Sequence, residues 1–164
     1  MPDIFNNPWI AFAIVLVCLI FSAFFSASET ALTAASKAGI NALNNQGNAN
    51  AGIVMRLLQA RERLIGSILI GNNIVNIGAS AFMTSVLVEL FGAGGVLYAT
   101  IIMSTLVIVF AEVLPKSVAI STPDRFALGV AKPIAFFVAF FGPLTNAVNG
   151  LEPFHWLVAV KTGH

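Results

Sequence analysis

A run of apolar residues from about Val96 to Phe110 ends in a single acid, Glu112, with Pro115 and Lys116 just beyond. Such a stretch suits hydrocarbon, where every backbone polar group must be satisfied within the segment, and it therefore reads as a membrane helix. An ionisable side chain there costs at least ~3 kcal/mol on insertion scales and requires a partner or a cavity. Pro115 has no N–H to offer the carbonyl of Ala111, so a free backbone oxygen is expected beside the carboxylate. Two hard oxygen donors at membrane depth are the beginning of a cation site.

The rest of the chain agrees. Of its 164 residues 58% are hydrophobic and only 9% charged, against roughly 25% charged in soluble domains. Mean hydropathy is +0.91. The expected class is an all-α integral membrane protein, with residues 1–164 forming one small helical unit. A net charge of +1 without a basic stripe argues against nucleic acid as a partner. Cys18 is the sole cysteine and reads as packing or lipid-facing. The segment before Trp9 holds Asp3 and no Lys or Arg, the wrong charge for a signal peptide, so the first apolar run reads as a retained span.

Three spans are expected, at about 9–27, 64–90 and 96–115, with Trp9 as an interfacial anchor. The first ends in FFSASETALTAAS, where Ser26, Ser28, Glu29 and Thr30 replace bulky aliphatics. Residues 39–52, rich in Asn and Gly, read as a surface loop. Arg56, Arg61 and Arg63 alternate with Leu57, Leu58 and Leu64, which suggests an interfacial helix at about 53–63. The second span carries Asn72, Asn73 and Asn76 near one helical face, extended by Ser80. Thr122 or Asp124 is a plausible helix cap. Residues 126–160 are apolar but interrupted by Pro133, Pro143 and Pro153, and they read as shorter amphipathic helices at the interface. Lys37, Arg56, Arg61 and Arg63 lie between spans one and two, and Lys116, Arg125 and Lys132 follow span three. The positive-inside bias therefore puts the N-terminus outside and the C-terminus in the cytoplasm.

Each span thus contributes one polar cluster: Ser26, Ser28 and Glu29; Asn72, Asn73 and Asn76; and Glu112. Hydroxyl, amide and carboxylate oxygens form a hard-cation ligand set suited to Mg²⁺, Ca²⁺, Mn²⁺ or Na⁺. Competing structural readings exist for every piece. Asparagines hydrogen-bond between helices, serines allow close packing, and Glu112 could pair with Lys116 one turn on. Glu29, His155 and Trp156 read as interface charge and decoration, and the Phe136–Phe141 run as lipid or packing surface. The coincidence of three clusters on three spans favours the ion site.

FFSASETAL, IGNNIVNI and FAEVLPKSVA resemble, in order and spacing, the signature stretches of the DUF21 transmembrane domain of the CorC/CNNM (cyclin M-like) magnesium transporters. The resemblance covers about residues 8–155. It implies a homodimer in the inner (plasma) membrane, with three membrane helices per subunit and a belt of juxtamembrane helices on the cytoplasmic side. It also implies a Mg²⁺ ion in an inward-facing cavity, held by Ser26, Asn76 and Glu112. Gly71 would add a backbone carbonyl, and Asn73 an outer or alternate ligand. Ser26 and Ser28 both fit the motif locally. Many relatives carry Gly where Ala111 stands. The cytosolic CBS and CorC/HlyC domains usual in the family do not follow in this sequence. The implied function is Mg²⁺ transport, as efflux coupled to Na⁺. The alternative is a membrane anchor and dimerisation module that senses Mg²⁺ for cytosolic domains. An enzyme is not expected, because the spans hold no His or Asp for a nucleophile–base pair.

Overall fold

The computed structural model describes residues 8–149, and every regular element among them is helical. Helix α1 is Pro8–Ala34, α2 Lys37–Asn45, α3 Ala49–Gln59 and α4 Arg61–Phe91. A 3₁₀ turn at Gly92–Gly94 leads into α5, Gly95–Leu106. A π-helical segment, Val107–Val113, joins α5 to α6, Leu114–Ser121, and α7 is Pro123–Asn149. Three helical stretches are long and apolar enough to cross a membrane: Trp9–Ala34, Arg61–Ser121 and Pro123–Thr145. The all-α class, with apolar spanning helices and shorter ones beside them, is therefore the observed architecture.

The second stretch has 61 residues, which would extend ~90 Å as one rod. It folds back at the glycine turn instead. Gly92 takes a positive φ of 63°, open to glycine at little cost. A Cβ on Gly95 would collide with the backbone of Leu87 and Val88, so the two arms approach as closely as chains can. Phe91 and Tyr98 stack edge to face across the turn, with ring centroids 5.4 Å apart. The arms of this hairpin are α4 and the α5–π–α6 run.

Helix α1 is the hub, packed against α4, the π segment, α6 and α7. Gly71 lets the Phe25 ring rest on α4, since a Cβ there would come within 3.0 Å of it. Phe25 also meets Phe137 of α7 edge-on at 4.9 Å. Two hydrophobic clusters result. The larger joins the lower parts of α1 and α4 to α2, α3, α6 and α7 through fully buried Leu32, Ile40, Val54, Leu64 and Ile134. The smaller ties α1, α4, α5 and the π segment through Val15, Leu19, Ala79, Met103 and Ala111.

Several local expectations are corrected. The segment read as a loop from residue 39 begins inside helix α2. The Ser36 hydroxyl caps that helix by accepting from Gly39 N at 3.2 Å, and Ile40 anchors it in the core. The helix placed at 53–63 starts at Ala49, where the Asn48 side chain caps Asn50 and Ala51, and it ends at Gln59. The backbone bends at Ala60 (φ −103°, ψ 49°), so Arg61 and Arg63 open α4. Most of 126–160 is not a set of short helices. Helix α7 runs unbroken through Pro133 and Pro143, its apolar packing outweighing the two lost N–H donors. Residues 150–160, with Pro153, His155 and Trp156, lie outside the described residues.

Both ends of α7 meet the same end of the α1–α4 pair. Asp124 near its start accepts from Ser36 N at 2.7 Å, just below α1, so Asp124 ties two segments instead of capping its own helix. At the other end Thr145 covers Gly66 and Gly142 lies against Arg63, both near the start of α4. The outer face of α7 exposes Phe136, Phe140 (70%) and Leu144.

Candidate functional site

Ser22 and Asn72 form the polar bridge between α1 and α4. The fully buried Ser22 hydroxyl donates to Asn72 Oδ1 at 2.6 Å. Asn76 Nδ2 reaches the same oxygen from one turn up the helix, at 3.4 Å. With its NH₂ so directed, Asn76 Oδ1 is buried without a hydrogen-bond partner. Two hydroxyls elsewhere on α1 and α4 are left in the same condition. Ser26 Oγ, one turn along α1 from Ser22, is buried and unpaired, and so is Ser67 Oγ, one turn before Gly71 on α4. An unsatisfied buried oxygen costs about 1–3 kcal/mol. Each such atom calls for a physical explanation.

The two candidate serines are distinguishable. Ser28 donates to the Phe24 carbonyl at 2.6 Å within its own helix, the usual way a helical serine satisfies itself. Ser26 has no such bond and keeps its oxygen available. Asn73 faces outward and is exposed. Gly71 is buried beneath Phe25.

Glu112 lies near the end of the π segment, half-buried. The wide turn is real: the N–H of Leu114 bonds to the carbonyl of Val109, five residues back. Such segments often sit at functional sites. Combined with Pro115, the change of register leaves a carbonyl without its N–H donor, Ala111 in α register or Phe110 in π register. Ala111 itself is fully buried in the cluster with Val15, Leu19 and Ala79, so its methyl fills space that a glycine would leave. Among the described residues Glu112 has no hydrogen bond and no ion pair, with Lys116 or any other group.

A cleft of about 570 Å³ runs between α4 and α5, lined by Asn76, Ser80 and Thr84 on one wall and Thr100, Ser104 and Ile108 on the other. Asn76 therefore faces the cleft beside the first turn of the π segment, and Glu112 follows one turn beyond Ile108. The hydrogen bonds bring together Ser22, Asn72 and Asn76, while the side chains of Ser26 and Glu112 remain unbonded. Among the described residues no three His, Cys, Asp or Glu side chains gather. A cation here would be held by one carboxylate and neutral oxygens.

Sequence reasoning missed Ser22 and Ser67. Ser22 precedes Ser26 by one helical turn, and that spacing on one face was the available signal. Ser67 carried none beyond its place on the Gly71 face.

These features define a multi-pass helical membrane protein in which α1 and α4 bury unpaired side-chain oxygens. Residues 13–158 match the family described as the Cyclin M transmembrane N-terminal domain, CNNM, and the chain belongs to that family. It is 36% identical over 151 residues to a UPF0053 protein of Haemophilus influenzae, covering 92% of this chain and 34% of that protein. It is 44% identical over 118 residues to the UPF0053 inner membrane protein YfjD of Escherichia coli, covering 72% and 27%. A polyamine export protein of Escherichia coli is 30% identical over 152 residues, covering 84% and 34%. The chain thus spans about a third or less of the length of these relatives. The family match is to a transmembrane domain, the N-terminal one of its family.

Proposed function

We propose that this chain is the membrane domain of a Mg²⁺ transporter of the cytoplasmic membrane, acting as a homodimer. Export of Mg²⁺ coupled to inward Na⁺ is the direction favoured by the family resemblance. The observation that carries the reading is the pair of unpaired buried oxygens, Ser26 Oγ on α1 and Asn76 Oδ1 on α4, together with the unpaired side chain of Glu112 in the π segment. Glu112 supplies the charge, and Ser26 and Asn76 replace water in the ion's shell. The Gly71 carbonyl and the outward-facing Asn73 are the remaining contributors, the latter by way of water. Mg²⁺ prefers six oxygens near ~2.1 Å and keeps several waters, which suits a site with so few protein ligands. With the basic end of α4 inside, α7 lies against the cytoplasmic face as part of a belt and leaves three spans to cross. Cytosolic domains in a full-length protein would regulate the site from that side.

The test is Mg²⁺ flux in proteoliposomes with a Na⁺ gradient imposed in either direction, wild type against Glu112→Gln. Gradient-dependent flux that disappears in the variant supports a coupled transporter. Binding without flux favours the anchor-and-sensor alternative, and flux untouched by the substitution rejects the site.

One observation favours a second cargo. A relative bears the name polyamine export protein, and a single carboxylate among neutral acceptors also suits an alkylammonium, which donates hydrogen bonds and carries apolar methylenes. Spermidine included in the same assay separates the two, because only one cargo should depend on Glu112.

A further inference from the structure

A second pocket lies apart from the cleft, where α3, the start of α4 and α7 meet. Its volume is about 560 Å³, and Ile53, Arg56, Leu57, Arg63, Val138 and Ala139 line it. The walls are apolar, and the only charges in the lining are the two guanidinium groups. Arg63 Nε is buried without a hydrogen-bond partner, and neither arginine has an ion pair among the described residues. The Arg63 guanidinium lies against Gly142, where any Cβ would collide with it.

The surrounding electrostatics favour an anion. Arg61 and Arg63 open a 31-residue helix, the end at which the helix dipole disfavours cations. Glu62 stands between them, but among the described residues no side chain caps that end, so its first N–H groups also await an acceptor. The position fixes the ligand class further. The apolar stretch long enough to cross a membrane begins at Arg61, which puts the pocket at headgroup depth. Phe136, Phe140 and Leu144 are exposed on the outer face of the same helix, α7, and offer a surface for an acyl chain. Basic pockets between membrane helices are suited to phosphate headgroups.

We propose that this pocket seats the phosphate of an anionic phospholipid, held by Arg56 and Arg63, with its acyl chain along the exposed face of α7. The site is separate from Ser26, Asn76 and Glu112 and does not depend on which cargo the domain moves.

The test is lipid retention by the full chain in nanodiscs of equal phosphatidylglycerol and phosphatidylcholine, read by native mass spectrometry after mild detergent extraction. The wild type should retain phosphatidylglycerol preferentially, and each arginine should contribute about fivefold. Arg56→Gln/Arg63→Gln should abolish the preference, whereas Arg61→Gln, at an exposed position outside the pocket, should leave it intact. Arg63→Lys keeps the charge but loses the planar fork. It should weaken retention while preserving the fold, and it replaces the double variant if that proves unstable. Equal retention of the two lipids overturns the proposal. So does an equal loss in Arg61→Gln, which would indicate a diffuse surface field, or displacement of the lipid by millimolar inorganic phosphate, which would indicate a soluble anion.

Discussion

The two halves of this domain hold together by different means. Around the bases of α1 and α4, the short helices and α7 enclose a core of large side chains such as Leu32, Ile40, Leu64 and Ile134, all fully buried. Around the upper arms only Val15, Leu19, Ala79, Met103 and Ala111 are buried together. There the large residues point outward, as Ile77 does at 69% exposure. The lower half resembles a water-soluble protein, in which removing apolar surface from water drives packing. The upper half has lipid outside, as apolar as its interior, and relies on small residues and hydrogen bonds. The polar cluster lies near the boundary between them. The lower core can fix the α1–α4 contact there while the arms above remain sparsely packed.

The comparison breaks if large-to-small changes cost the same in both halves. Ile134→Ala and Leu64→Ala should each destabilise by about 2–5 kcal/mol, read as thermal unfolding in detergent. Ile77→Ala should stay within about 0.5 kcal/mol. Gly95→Ala probes a place in the upper half where backbone meets backbone. It should cost about 1–3 kcal/mol by forcing the α4–α5 hairpin apart. Asn72→Ala removes the acceptor of the buried Ser22 hydroxyl and should cost about 1–3 kcal/mol.

The smallest expected change is the sharpest. Ser26→Ala removes an oxygen that has no partner, so stability without added ion should be unchanged or slightly raised. Ser22→Ala, which removes a bonded hydroxyl, should lower it by about 1 kcal/mol. Two serines one turn apart would then separate a structural hydroxyl from a functional one.

The spans were legible because long apolar runs with isolated charges leave few alternatives in water or lipid. The loop reading of the α2 region failed because Asn and Gly composition conceals a capped helix held by one buried isoleucine, Ile40. Helix α7 was misread because proline ordinarily stops helices, and only its packing partners show why Pro133 and Pro143 do not. The π segment left no trace in the sequence beyond Pro115, since hydrogen-bond register is not encoded in hydropathy. Of the candidate residues, Ser26, Asn76 and Glu112 were read from three separate clusters. The difference between Ser26 and Ser28 lies in the hydrogen bond that Ser28 makes to Phe24, which motif spacing does not reveal. Ser22 and Ser67 needed burial, which serine composition alone does not reveal.

The most direct measurement is Mg²⁺-dependent thermal stabilisation of the purified chain, wild type against Ser26→Ala and Glu112→Gln, with Ser28→Ala as control. The account predicts a Mg²⁺-induced rise in Tm for the wild type and Ser28→Ala, and none for the other two. A rise of equal size in all four would contradict it, because the unpaired oxygens and the lone carboxylate would then hold no ion.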